Sequence, residues 1–162
     1  MKKLLVSAAC LLVLSGCFWN RQETTSNSEN SSMLYVVNVL SKDIYNDAHI
    51  KGSLHIDLDD LQMYADKWDK NTPVVFYCSN YQCSASGHAA KVFKQAGFKQ
   101  VYAYEGGAAE WFQLGYPMEG PQTEEISGYL KQAVQAPDHV QQNIDVITAS
   151  QLKDMMTQAG LL

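Results

Sequence analysis

Four short apolar runs constrain the fold most: "MLYVVNVL" (33–40), "SLHI" (53–56), "PVVFYC" (73–78) and "QVYAY" (100–104). They are rich in β-branched and aromatic residues and read as buried strands. Helical patterns lie between them. After Cys83, the residues Ala85, Ala89, Val92, Phe93 and Ala96 fall on one apolar stripe of a helix. Ser84 is placed to cap that helix, and Gly97 to end it in a left-handed conformation. "LDDLQMYADKW" (58–68) and "AAEWFQLG", closed by Gly115 with Pro117 beyond, read as two more helices. "EEISGYLKQAVQA" (124–136) reads as a further one, weakened at Gly128 by up to ~1 kcal/mol relative to alanine. "IDVITASQLKDMMTQAG" (144–160) adds a last strand and helix. Its Thr148 and Gln151 form a capping box, Ile147 and Leu152 a hydrophobic staple, and Gly160 the stop. Strands alternating with helices predict an α/β domain whose mainly parallel, five-stranded sheet is flanked by helices. In such sheets sites lie at the carboxyl ends of strands, and Cys78 sits at one.

The chain's start sets the compartment. Lys2 and Lys3 precede an apolar run from Leu4 to Leu14, too short to span a bilayer and suited to a secretory signal. The run ends in "LSGC", which resembles a bacterial lipobox; the resemblance implies that Cys17 is lipidated and becomes the mature N-terminus. An ordinary signal peptide cut nearby, or a short anchor, is the alternative. The expected organisation is a signal peptide at 1–16, the lipidated Cys17 with a polar linker through 32, and one domain at 33–162. Lipid chains would hold the protein to a membrane of the cell envelope without a spanning helix, facing the periplasm or exterior. Phe18 lacks the acid that commonly marks inner-membrane retention and leans toward the outer membrane.

Of the four cysteines, Cys10 leaves with the signal and Cys17 carries lipid, so Cys78 and Cys83 remain as thiols. An exported protein meets an oxidising compartment, where free thiols are normally paired or absent. A pair kept in one short loop therefore points to chemistry more than to packing. The formal charge of −5 falls further once Lys2 and Lys3 are removed. An acidic chain without basic clusters argues against nucleic acid. His49, His55 and His88 share no metal-ligand spacing, and nothing in the sequence calls for a metal or cofactor. His55 reads as a satisfied strand-edge residue, and His88 as solvent-exposed rather than facing the loop.

The loop "CSNYQCS", Cys78 to Ser84, runs from a strand end to a helix start. Such a loop turns backbone N–H groups toward its centre, and the helix dipole adds partial positive charge. A thiol held there loses its proton more readily, and the thiolate is the reactive form. Cys78 is accordingly expected to titrate low. On position alone, a small buried hydrophobe at a strand end fits equally well.

"DIYNDAHIKGSLHI" (43–56) resembles the "Y-x-x-G-H-I-P-G-A" signature near the start of rhodanese domains. The stretch 74–120 is similar to that family's second half. There a strand ends in the active cysteine, and "G-F-x-x-V", "G-G-x-x-x-W" and "G-x-P" follow, here Gly97, Phe98, Val101, Gly106, Gly107, Trp111, Gly115 and Pro117. The resemblance, covering 34–120, implies a sulfurtransferase: Cys78 takes a sulfane sulfur from a donor, holds it as a persulfide and passes it to a nucleophile. It places Ser79, Asn80, Tyr81, Gln82 and Ser84 around the substrate, with Cys83 as a candidate resolving thiol. The expected partners are a small sulfane-sulfur donor and a thiol acceptor or reductant. Related phosphatases carry a loop one residue longer, which makes phosphate-ester chemistry the weaker expectation. Three departures matter. Cys83 stands where many members carry an anion-binding arginine, Asn38 and Leu40 replace the acid and base of "D-V-R", and Ala48 replaces a glycine before His49. The lost arginines put thiosulfate in question as the physiological donor.

Two other classes remain open on the residues. Cys78 and Cys83 suit a thiol–disulfide oxidoreductase, or a non-catalytic module binding a soft metal or metalloid. Most rhodanese domains also open with a short strand and helix before "D-V-R", which this chain lacks at that point. The segment 144–160 looks like that missing pair placed last, as in a circular permutation; an unrelated C-terminal strand and helix, or a truncated second repeat, is the equal alternative.

Overall fold

Alternating side chains along short parallel strands must bury two opposite faces, so the sheet needs a helical layer on each side. The computed structural model describes residues 33–136 and 143–162; the expected signal segment, Cys17 and its linker lie outside the described residues. In chain order the elements are β1 (Tyr35–Asn38), α1 (Lys42–Asp47), β2 (His49–Ile50), β3 (Leu54–His55) and α2 (Leu61–Lys67, after a 3-10 turn at Leu58–Asp60). Next come β4 (Val74–Tyr77), α3 (Ala85–Gln95), β5 (Val101–Tyr104), α4 (Gly107–Gln113) and β6 (Met118–Glu119). The chain closes with α5 (Glu124–Ser127), a 3-10 turn at Gly128–Lys131, β7 (Asp145–Val146) and α6 (Ala149–Gln158).

Five strands form one sheet in the order β3-β1-β4-β5-β7. Every pairing in it is parallel, with Asn38 level with Tyr77 and Tyr77 level with Tyr104. β2 and β6 make a separate antiparallel pair. The expected α/β fold is therefore the observed one, and each of the four apolar runs contains a sheet strand.

Val37, Val74, Phe76 and Ala103 face one layer, with Leu61 and Ala65 of α2 and Ala89, Ala90 and Phe93 of α3. Phe93 meets Phe76 and Phe98 at ring centroid distances of 4.7 Å. Edge contacts of this kind add about 0.5–1.5 kcal/mol beyond area burial. Val36, Val75, Tyr77 and Tyr104 face the other layer, with Ala108 and Trp111 of α4 and Leu152 and Met156 of α6. Trp111 is wholly buried, and its indole N–H donates to the Pro117 carbonyl at 2.9 Å. The Trp and the "G-x-P" turn thus hold each other in place.

Local signals were followed closely in places. Gly97, Gly115 and Gly160 all take positive φ at helix ends, and Thr148 with Gln151 forms the expected capping box. Two expectations need correction. Ser84 precedes α3, but its side chain makes no capping bond; only its carbonyl is used, accepting from His88 N–H at 3.0 Å. The helix expected over 124–136 stops after one turn of α5 and one 3-10 turn. Gln113 explains the stop: its side-chain amide donates to the carbonyls of Leu130 (2.8 Å) and Gln132 (2.6 Å), acceptors that a continuing helix would need. Asp47 fixes the start of that segment. Its buried carboxylate accepts from Thr123 N–H and Oγ1 and from Ser127 Oγ. These bonds, the Ser127 hydroxyl foremost, hold its pKa below the ordinary value.

Candidate active site

β4 delivers the chain to the carboxyl edge of the sheet with all four of its residues buried, so Cys78 starts the loop wholly enclosed, at 0% exposure. The loop is shaped from both ends. Asn80 Oδ1 accepts from Gln82 N–H at 3.1 Å, and Asn80 O accepts from Cys83 N–H at 3.0 Å, a turn built by one asparagine. From the other side α4 docks its first turn, Ala108 N–H on the Cys78 carbonyl and Ala109 N–H on the Ser79 carbonyl, both at 2.9 Å. Gly107 makes that approach possible. Its φ is +62°, and a Cβ there would lie 2.6 Å from the Cys78 oxygen.

The two cysteines meet across the loop, Cys78 Sγ against the Cys83 backbone, and their titrations divide unequally. Cys78 Sγ faces the Cys83 carbonyl oxygen at 3.1 Å and Ser86 Oγ at 3.5 Å. Cys83 is half-buried at the start of α3 and receives N–H donors from Ala85 and Ser79. The shared S–H of Cys78 and those N–H groups bring the Cys83 thiol down to about 5, against the opposing effect of burial. The Cys78 thiol is pushed up by its bond to Cys83, by burial and by the Cys83 charge. This corrects the expectation that Cys78 itself titrates low. The reason is the neighbouring Cys83 group first and burial second, which together outweigh the Ser86 hydroxyl and N–H acting the other way. The first proton lost from the pair is therefore that of Cys83.

Alkylation of the reduced protein against pH checks this. Label should appear first on Cys83, with a midpoint near 5. In Cys78→Ala, which removes the S–H donor, that midpoint should move upward. Faster labelling of Cys78 than of Cys83 in the wild type would overturn the assignment.

The other expected site residues are placed as follows. Ser79, Asn80 and Tyr81 are partly buried in the loop, while Gln82 and Ser84 face solvent. Asn38, where the family's acid would stand, is fully buried, and its Oδ1 accepts from Leu40 N–H at 2.8 Å. His88 is exposed, and His55 is held by Nε2 to the Leu40 carbonyl at 2.8 Å. Among the described residues no group of three or more His, Cys, Asp or Glu side chains is arranged to hold a metal ion. Sequence reasoning missed Ser86 and Glu110. Ser86 is silent in sequence because a serine inside a helix usually faces water. Glu110, inside "GGAAEW", accepts from Tyr81 Oη at 3.0 Å and Tyr104 Oη at 2.8 Å.

The profile of the family described as "Rhodanese-like domain" matches residues 20–114. A thiosulfate sulfurtransferase GlpE of Coxiella burnetii is 36% identical over 78 residues, covering 48% of this chain and 71% of that protein. The protein of that name from Pseudomonas paraeruginosa is 34% identical over 84 residues, covering 52% and 74%. Among solved structures, the Alr3790 protein from Anabaena sp. superposes with a TM-score of 0.50 at 28% identity, covering 59% of this chain and 70% of that one.

Proposed function

The chain belongs to the rhodanese-like domain family, and on that premise we propose that it is a sulfurtransferase whose persulfide forms on Cys78 with Cys83 as working partner. The observation that carries the reading is the thiol pair in one docked loop: a buried Cys78 whose S–H donates to the Cys83 carbonyl at 3.1 Å, five residues before a half-buried Cys83 thiol. When a donor R–S–S⁻ enters, Cys78 Sγ attacks the outer sulfur, the donor's S–S bond breaks, and RS⁻ departs with the bonding electron pair and takes up the Cys78 proton as RSH. Cys78 now carries the persulfide.

Two exits follow. An external thiolate takes the outer sulfur and returns Cys78 to the thiolate. Alternatively the Cys83 thiolate attacks the inner sulfur of Cys78, releases hydrosulfide and closes a Cys78–Cys83 disulfide that an external dithiol must reduce. The ring is small, so chain-entropy reasoning gives the disulfide only about 2 kcal/mol, suited to a bond that opens and closes. Reduced Cys83→Ser protein given a sulfane donor should gain the mass of one sulfur, and absence of that species with any donor would sink the reading. The second reading, a thiol–disulfide oxidoreductase, is favoured by the same thiol pair but makes no use of a sulfane donor.

The site of action we propose is the cell envelope, with Cys17 as lipid anchor and no nucleic-acid partner. Among the described residues no helix is long and apolar enough to cross a membrane. Cys17→Ser should move the protein from the detergent-requiring membrane fraction to the aqueous one, and its retention there would count against lipidation.

A further inference from the structure

One carboxylate grips the thiol loop from outside. Glu110 lies on α4, the helix whose Ala108 and Ala109 N–H groups hold the Cys78 and Ser79 carbonyls. Its Oε1 accepts from the Tyr81 hydroxyl on the loop at 3.0 Å, and its Oε2 from the Tyr104 hydroxyl at the end of β5 at 2.8 Å. Gly106 leaves room for this arrangement, since a Cβ there would sit 1.9 Å from Glu110 Oε2. Burial, then the charges of Glu110 and Glu105, hold the Tyr81 hydroxyl up at about 12, so it remains a neutral donor to Glu110 at ordinary pH. The Glu110 carboxylate, held to Tyr81 at 3.0 Å, therefore sets its charge against the loop. The loop itself, "CSNYQCS", carries no cation to offset it.

We propose that Glu110 is a specificity-determining residue of this site, tethered to the loop through Tyr81, and that it selects sulfane donors of low charge, of the thiosulfonate or organic hydropersulfide class, over the thiosulfate dianion. The inference rests on the sulfur-transfer reading and names its donor class. Coulomb repulsion scales with the donor's charge, so a dianion is disfavoured twice as strongly, in logarithm, as a monoanion. Discrimination here comes from a repulsive element, one way a site achieves specificity.

Thiosulfate and methanethiosulfonate make the test, because they present the same sulfane sulfur and differ by one oxyanion against one methyl. Either donor gives the Cys78 persulfide, with sulfite or methanesulfinate leaving. Wild type should prefer methanethiosulfonate in kcat/KM. In Glu110→Gln, which keeps an oxygen acceptor for one tyrosine and an N–H for the other, both rates should rise at low salt. Because the effect scales with donor charge in the logarithm, a gain of about two- to threefold for methanethiosulfonate corresponds to roughly four- to ninefold for thiosulfate. The gain should lie in KM and shrink as salt is raised. Tyr81→Phe, which cuts the tether but leaves the charge, should keep the wild-type preference more nearly than Glu110→Gln. Equal changes for the two donors in Glu110→Gln, or none, would overturn the selectivity while leaving sulfur transfer intact. Failure of every variant and donor to form a persulfide would instead overturn the reading beneath it.

Discussion

Cys78→Ser should abolish sulfur transfer, a loss on the order of 10³-fold or more, because a serine hydroxyl in the same enclosed position cannot carry a sulfane sulfur. Cys83→Ser should behave differently. The nucleophile stays but the resolving thiol goes, so the persulfide, once made, should persist. Mass spectrometry on reduced protein after a sulfane donor reads both variants. Wild type should pass to a species lighter by the two thiol hydrogens, the disulfide form. Cys83→Ser should accumulate protein one sulfur heavier, and Cys78→Ser should show neither. Equal persulfide lifetimes in wild type and Cys83→Ser would remove Cys83 from the resolving role. A Cys78→Ser protein that still transfers sulfur would move the nucleophile to Cys83, the more accessible thiol in the structure. The same comparison separates the classes left open by sequence, since redox cycling and soft-ion binding need both thiols.

Removal of residues 140–162 should leave a chain that does not fold cooperatively. β7 pairs with β5 through Tyr102–Asp145 and Ala103–Val146 and forms one edge of the sheet. Behind it, Ile147, Ala149, Leu152 and Met156 are buried against Val75, Tyr77 and Trp111 in one cluster. Losing a side chain such as Leu152 alone, as in Leu152→Ala, costs about 2–5 kcal/mol. Net stability of a domain this size is only about 5–15 kcal/mol, so deletion of the whole segment exceeds the margin. The same deletion tests the expectation that the last strand and helix fill the place of the family's opening pair. A soluble deletion product with a sharp thermal transition would defeat it.

Sequence alone determined the elements and their kind wherever local chemistry and burial agreed. Val74–Tyr77 are apolar at every position because a central parallel strand is covered on both faces, and this made both β4 and the place of Cys78 legible. The capping box at Thr148 and the glycine stops at Gly97 and Gly160 depend on a few adjacent residues and were read correctly for the same reason. Tertiary structure decided what depends on partners distant in sequence. The early end of the 124–136 helix was imposed by Gln113, whose side-chain amide takes carbonyls that a continuing helix would use. The small α1 was hidden because six residues carry too little periodicity to show. The division of charge between Cys78 and Cys83 was invisible for a sharper reason. Spacing fixes that two thiols share a loop, but only the fold decides that Cys78 is enclosed against the Cys83 carbonyl while Cys83 stays half-buried before α3. Likewise Glu110 reads in sequence as an ordinary helix acid, and only the docking of α4 brings it to Tyr81, because contacts across 29 residues are set by topology and not by local pattern.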